Sequence, residues 1–249
     1  MPEILISVVS HQQGKLIESL FKDLEQQAPT WPIHLTHNIP EPSMAHEGLT
    51  LTTSFNPHPK GFGANHNAAL EPGRAEFFCI LNPDIRMPSN PFPVLIEALR
   101  DPSVALVAPR IVDRHDKVQD NARQFPTLLG LLKKWLGLDD GRIVPSDSHP
   151  TPVPWVAGMF LLVRAEAFRA IGGFDEKFLL YYEDVDLCAR LRQAGWQILL
   201  CPEATVVHDA QRSSHKSWRY ARWHLTSLMR YLIKHRHLDR RMQQLNAGQ

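Results

Sequence analysis

An α/β fold, with a mostly parallel central sheet flanked by helices and a basic helical extension at the C-terminus, follows from three observations. Apolar runs of strand length alternate with helix-period segments through residues 4–108, the order expected of a parallel sheet. Two of those runs, Ile4-Leu5-Ile6-Ser7-Val8-Val9-Ser10 and Phe77-Phe78-Cys79-Ile80-Leu81, are almost continuously apolar, as strands covered on both faces must be. With 249 residues and 43% hydrophobic content, the chain can bury one large core or two small ones.

The elements follow in order. Residues 4–10 are the first predicted strand. Residues 15–27 carry Leu16, Ile17, Leu20, Phe21 and Leu24 at helical spacing, one apolar face. Short strands are predicted over 33–38 and 49–53, a short helix over 63–70, and a buried strand over 77–81. The helix over 91–99 has proline near its start, where a missing N–H costs nothing, and 104–108 is a strand. After Pro109 the pattern changes, and 110–124 reads as irregular or as a hairpin. Residues 125–138 hold Leu128-Leu129-Gly130-Leu131-Leu132-Lys133-Lys134-Trp135-Leu136, too apolar for a free loop. That stretch is either a helix covering the sheet or one touching lipid. Four prolines in 139–154 predict a flexible segment. A strand over 155–163, helices over 166–171 and 183–194, and a strand over 197–200 complete the body. The tail over 213–237 is predicted to be a basic helix.

Composition narrows the class. The charged and apolar contents are those of an ordinary globular protein rather than a disordered one. No apolar run has the length to span a bilayer, and the N-terminus lacks the basic start of a signal peptide. Cys79, Cys188 and Cys201 are widely spaced and read as reduced core thiols of a cytosolic protein. The net charge of +1 hides an asymmetry. From Asp209 onward nine Lys and Arg face two acids, which leaves the body at −6. A basic tail suits an anionic neighbour, or is simply a solvated face.

Four features carry chemistry. Asn82-Pro83-Asp84 ends the strand at 77–81, where ligands of open α/β sheets bind, so Asp84 is placed to meet a divalent cation on phosphates. The same tripeptide is also ordinary turn chemistry. Lys60-Gly61-Phe62-Gly63-Ala64-Asn65-His66-Asn67 precedes a helix and offers close backbone approach and N–H groups to an anion. Its plainer reading is a glycine turn. Glu183, Asp184 and Asp186 open a helix, where the dipole favours acids without any catalytic role; the same dipole would keep a general base ionised. The three do not share one face. His208 follows the apolar run 204–207, and a lone histidine there is as readily structural as a ligand.

Taken in that order, these features resemble the inverting nucleotide-sugar glycosyltransferases of family 2, which have the GT-A fold, and most closely their rhamnosyltransferase-like branch. The resemblance runs from Ser7 to His208. Its most specific parts are Trp155-Val156-Ala157-Gly158-Met159-Phe160-Leu161-Leu162-Val163-Arg164, Gly172-Gly173-Phe174-Asp175-Glu176, and Glu183-Asp184-Val185-Asp186-Leu187-Cys188-Ala189-Arg190. It implies a GT-A-like (Rossmann-like) domain over 1–210 and a basic helical extension over 211–249 packed on or beside it. Asn82 and Asp84 stand in the family's Asp-x-Asp motif, with Asp84 and His208 on Mn²⁺ or Mg²⁺. Asp184 matches the general base. Ser7, Val9, His11 and Asn38 match the nucleotide-binding strand ends, and Gly61, Gly63 and Asn67 the loop lining the donor pocket. Trp155, Gly158 and Glu183 fall on the acceptor side, where Trp155, Phe178, Tyr181 and Tyr182 either offer a stacking wall or pack in the core, the core being the better reading for Phe178. Two departures stand out: Asn82 is neutral where many relatives have aspartate, and His37 replaces a base-reading aspartate.

The implied function is transfer of a sugar, rhamnose first, from a nucleotide diphosphate donor to a glycan or lipid-linked acceptor of the cell surface. The expected location is cytoplasmic, with peripheral contact on the inner membrane face through the basic tail and no nucleic-acid partner. The alternative is a catalytically silent member that binds a nucleotide sugar or a protein partner, which Asn82 and His37 favour. A nucleotidyltransferase would want a basic glycine-rich loop beside the first strand, and Gly14-Lys15 is too sparse.

Overall fold

Alternation of side chains along β1 (Ile4–Ser10) and β4 (Phe77–Leu81) divides the interior into two cores, one on each face of the sheet. Ile4, Ile6, Val8, Phe77, Cys79 and Leu81 enter one core, while Leu5, Phe78 and Ile80 face the other. The computed structural model describes residues 2–28, 30–70, 75–143, 149–209 and 218–236. On the first face lie α1 (Gly14–Gln27), through Ile17, Leu20, Phe21 and Leu24, and α3 (Phe92–Ala98) through Phe92 and Leu95. On the second lie α5 (Ala165–Ala170) and α6 (Glu183–Gln193), with α2 (Phe62–Ala69) contributing Ala69.

Strands β2 (Ile33–His37), β3 (Leu51–Phe55), β5 (Ile85–Arg86), β6 (Val104–Val112), β8 (Thr151–Pro152), β10 (Phe160–Arg164) and β11 (Gln197–His208) complete the main sheet. Its order is β3-β2-β1-β4-β10-β6-β11-β5, with β8 also on β11. Pairs β1–β2, β2–β3, β1–β4 and β6–β11 are parallel, and β10 runs antiparallel between β4 and β6. The expected mostly parallel sheet thus carries an antiparallel strand at its centre. A separate two-stranded sheet pairs β7 (Ala122–Arg123) with β9 (Trp155–Val156).

Two expectations change. The single strand over 155–163 is two strands, broken at Ala157-Gly158-Met159, where Ala157 N–H bonds Asn121 O at 2.9 Å and leaves the main sheet. The strand over 197–200 instead continues to His208, with a register shift between Cys201 and Thr205. Pro202 sits in that shift, because proline cannot donate to a ladder. In the 110–124 stretch β6 runs on to Val112, and the hairpin reading holds there, with Val112 bridging Val118 antiparallel.

Helix α4 (Leu128–Trp135) does not cover the sheet, since none of its residues is buried. Helix α7 (Trp218–His235) docks through Tyr231, which is buried in the second core. The predicted tail helix over 213–237 thus begins at Trp218 among the described residues, and 213–217 and 237 lie outside them. All three cysteines are free and buried, and burial pushes their thiols up. Among the described residues no helix is long and apolar enough to cross a membrane.

Candidate active site

The carboxyl ends of β4, β6 and β11 meet at one edge of the sheet. Beyond β4 the chain turns through Asn82 and Pro83 into β5, which pairs with the end of β11 and sets His208 opposite Ile85. That pairing brings Asp84 Oδ2 to 3.1 Å from His208 Nε2. Gln119, in the turn after β6, fixes the imidazole. Its Nε2 donates to His208 O at 3.2 Å, so its Oε1 faces His208 Nδ1 at 2.8 Å and accepts the ring N–H. In a neutral ring, Nε2 then presents a lone pair to a carboxylate oxygen. Two acceptors that close need a proton or a cation between them. Asp84 Oδ1 is buried with no hydrogen-bond partner. A carboxylate oxygen left bare beside an imidazole lone pair fits a divalent cation whose other positions go to ligand oxygens. Among the described residues no group of three or more His, Cys, Asp or Glu gathers in this way.

The second half of the site opens α6. Tyr181 and Tyr182 both adopt left-handed backbone, with φ of 69° and 66°. Non-glycine residues there are strained, and such strain collects where a side chain must be aimed. The double turn delivers Glu183 and Asp184 into the first turn of α6. Asp184 Oδ2 accepts from Gly158 N at 3.0 Å and Oδ1 accepts from Val185 N at 2.8 Å. Gly158 N–H is free to do this because the strand breaks at 157–159. The neighbouring carbonyl, Met159 O, accepts from Asn82 N at 3.0 Å, so one run of hydrogen bonds links Asp184 to the Asn82-Pro83-Asp84 turn.

Burial pushes the Asp184 carboxyl above its ordinary range, and the Gly158 and Val185 amides hold it back in part. Glu183 is pushed well above its range by burial and then by the charge of Asp184. Its Oε2 is buried with no hydrogen-bond partner. Of the pair, Asp184 has the Gly158 and Val185 amides where Glu183 has only its own, so Asp184 carries the charge and Glu183 keeps the proton. Asp186 lies elsewhere. It is fully buried against α7, held by Arg190 Nε at 2.8 Å, His235 Nε2 at 2.9 Å and Lys234 Nζ at 2.7 Å. Burial raises its carboxyl, but the His235 bond, the Arg190 charge and the Lys234 bond outweigh that and set it at about 2.

Glu183 and Asp184 line a cavity of about 750 Å³. Trp155, Tyr181, Tyr182 and His224 supply aromatic wall, and Arg123, Lys133 and Lys134 supply positive charge. Trp155 Nε1 donates to Gln124 O at 2.9 Å, which fixes the indole. Asp184 is enclosed by protein yet reaches this space, whereas Asp84 and His208 do not line it. Phe178 is packed in the second core, away from the wall.

The other sequence-predicted residues hold the frame. Ser7 Oγ is buried against His66 Nδ1 at 2.8 Å, and burial drops His66 to about 3, so that ring is neutral. Val9 is buried in β1. Asn38 Nδ2 donates to Lys60 O at 2.9 Å and lies 3.3 Å from His11 Nε2, while its Oδ1 accepts from Asn56 and from Lys60 N. His37 stacks on Phe55 and lies 2.8 Å from Glu41. Asn67 bonds Phe174 N and O and Glu176, clasping the Gly172–Glu176 turn. A Cβ on Gly63 would sit 2.5 Å from Phe174 Cβ, and one on Gly61 2.9 Å from Leu179 O. These glycines are needed for packing of the segment that leads into Tyr181. Sequence reasoning missed Gln119 and His224, which carried no pattern, and the role of the Gly158 amide, which depends on a strand break.

A family model described as glycosyl transferase family group 2 matches residues 77–241. The rhamnosyltransferase WbbL of Escherichia coli strain K12 is 29% identical over 256 residues, covering 96% of each chain. An N-acetylglucosaminyl-diphospho-decaprenol L-rhamnosyltransferase of Mycobacterium tuberculosis is 35% identical over 159 residues, which are 59% of this chain and 51% of that relative. Among solved structures, the mannosyltransferase PcManGT from Pyrobaculum calidifontis, in complex with GDP-Man and Mn²⁺, matches with a TM-score of 0.65 at 16% identity. That match covers 94% of this chain and 64% of the other. GalNAc-T7 with UDP, GalNAc and Mn²⁺ matches with a TM-score of 0.67 at 14% identity, over 87% of this chain and 45% of the other. These structural likenesses show the fold.

Proposed function

We infer the reaction from one premise: the chain belongs to glycosyl transferase family group 2 and is a glycosyltransferase of GT-A fold, similar to rhamnosyltransferases of glycan biosynthesis. The proposed reaction moves a sugar, rhamnose first, from a nucleotide diphosphate to a hydroxyl of a glycan or lipid-linked acceptor, with inversion. Residues 1–210 form the proposed catalytic body and 211–249 its packed extension, acting in the cytoplasm at the inner membrane face.

Asp184 is assigned the proton from the acceptor hydroxyl. Its support is the carboxylate aimed into the cavity by the Gly158 and Val185 amides. As the hydroxyl attacks the anomeric carbon from the cavity side, its proton passes to Asp184, and the diphosphate leaves on the opposite face. Glu183, protonated, is left to donate a hydrogen bond to the acceptor. Trp155 and Tyr182 stack on the acceptor sugar, and Gly158 holds the base. Asp84 and His208 are the proposed ligands of a divalent cation, which when bound would stabilise the charge on the leaving diphosphate. The mixed carboxylate and imidazole pair favours Mn²⁺ over Mg²⁺. Ser7, Val9, His11, Asn38, Gly61, Gly63, Asn67 and Asn82 build the donor side, chiefly through the frame they hold.

The deciding experiment is nucleotide release from deoxythymidine diphosphate-rhamnose with Mn²⁺ and an acceptor. Asp184→Asn is expected to lower kcat about 10²–10⁴-fold with an unchanged circular dichroism spectrum. Near-normal turnover by the folded variant removes Asp184 from the base role. If no nucleotide sugar is consumed by the native chain, a catalytically silent binding protein is the better reading.

A further inference from the structure

We propose that α4 is a membrane-docking helix that seats the Asp184 cavity against an anionic lipid bilayer. The helix is amphipathic, yet its apolar face points to solvent. Leu128 is 66% exposed, Leu132 50%, Trp135 81% and Leu136 54%, and at 100° per residue these four fall on one side. So many leucines and a tryptophan in one exposed patch mark an interaction surface. The helix is nonetheless well formed, since Thr127 Oγ1 caps it by accepting from Gly130 N at 2.9 Å. A hydrophobic face with tryptophan, flanked by lysines, is what lies in the plane of a bilayer interface.

Helix α7 carries a second such face. Tyr231 and His235 point inward, while Trp218, Leu225 and Ile233 are 92%, 60% and 60% exposed on the outward side. The two helices border one opening, because Leu131 and Lys134 of α4 and His224 of α7 line the cavity that holds Asp184.

Charge selects the occupant. Lys133 and Lys134 end α4, Arg222 and Arg230 are exposed on α7, and no acid lies in 128–138 or in α7. Asp139 and Asp140 follow α4, and Asp140 is paired with Arg142 at 2.9 Å. A second copy seated on this surface would set cation against cation, whereas anionic headgroups neutralise it. A lipid-linked acceptor would then reach Asp184 with its lipid still in the membrane. That last clause rests on the proposed transfer reaction; the docking does not.

The test uses the full chain without donor or acceptor. Co-sedimentation with phosphatidylcholine vesicles is compared with vesicles that also contain phosphatidylglycerol. The native chain is expected to bind the anionic vesicles, less so in high salt. The double substitution Leu132→Glu with Trp135→Glu, at two positions outside the cavity lining, is expected to weaken binding at least ~tenfold with an unchanged melting temperature. Native protein that stays in the supernatant with both vesicle types overturns the proposal. So does a double variant that binds as tightly as the native chain, or sedimentation velocity showing that the apolar face joins two copies and leaves none for lipid. Turnover on a short water-soluble acceptor is measured in parallel. Activity there without vesicle binding sinks the docking alone, and binding without any turnover sinks only the transfer reading.

Discussion

Asp184 and Glu183 are adjacent in the chain but differ in what surrounds their oxygens. The Gly158 and Val185 amides favour charge on Asp184, whereas Glu183 has only its own backbone amide against a larger burial penalty. Because burial raises Asp184, the ionised base is lost as pH falls through a value above the usual ~3.9 of aspartate. The acid limb of kcat should therefore lie above that range in a pH-rate profile, and a limb at or below it would contradict the pairing. Asp84 and His208 give a second prediction that does not depend on turnover. Mn²⁺ should raise the melting temperature of the native chain, by preferential binding to the folded state. His208→Ala and Asp84→Ala should each abolish that rise. Equal Mn²⁺ stabilisation in all three proteins would remove both residues from the metal.

Helix α6 shows how one short acidic run serves two ends. Its first turn points Asp184 into the cavity, and Asp186 turns away to clamp α7 through Arg190, Lys234 and His235. Removing a buried, paired charge strands its partners, typically at ~3–5 kcal/mol, so Asp186→Asn should lower stability by about that much in urea unfolding. Unchanged stability would mean that Tyr231, the Ser227–Leu180 bond and the Lys234–Asp175 pair hold α7 without Asp186. The native Asp186 contribution has a defined pH window. With its folded value at about 2, below an unfolded ~3.9, that contribution is present above pH ~4 and is lost as pH falls toward 2. Helix α2 offers the complementary case. A Cβ at Gly63 must displace Phe174, so Gly63→Ala should destabilise by ~1–3 kcal/mol, read as a lower melting temperature.

At the scale of the whole molecule, the sheet collects residues more than a hundred positions apart along one edge. Asp84 and His208 are neighbours only because β5 returns antiparallel to β11, and Gly158 meets Asp184 only because the chain breaks before β10. Donor binding should be felt across this edge. A panel of nucleotide sugars, with and without Mn²⁺, should yield its largest thermal shift with one donor in the presence of metal. A shift of equal size with every nucleotide would argue against a sugar-reading site.

The strands β1 and β4, the helix α1 and the acidic start of α6 were legible because each is a local pattern: continuous apolar runs, a helical period, acids where a helix dipole wants them. Candidate site residues Asp84, Asp184 and His208 were legible through motif order. The antiparallel β10 and the full length of β11 were not, because pairing partners lie far apart in the chain and period-two patterns do not state direction. Asn67, Gly61 and Gly63 were legible only as a glycine-rich loop before a helix. Their tight contacts with Phe174, Glu176 and Leu179 arise only when α2 packs against a segment a hundred residues away. Composition set the size of the core and the charge of the tail. Tertiary packing alone decided that Glu183 and Asp184 face a cavity while Asp186 does not, since burial and donor geometry, rather than residue type, govern where a negative charge can reside.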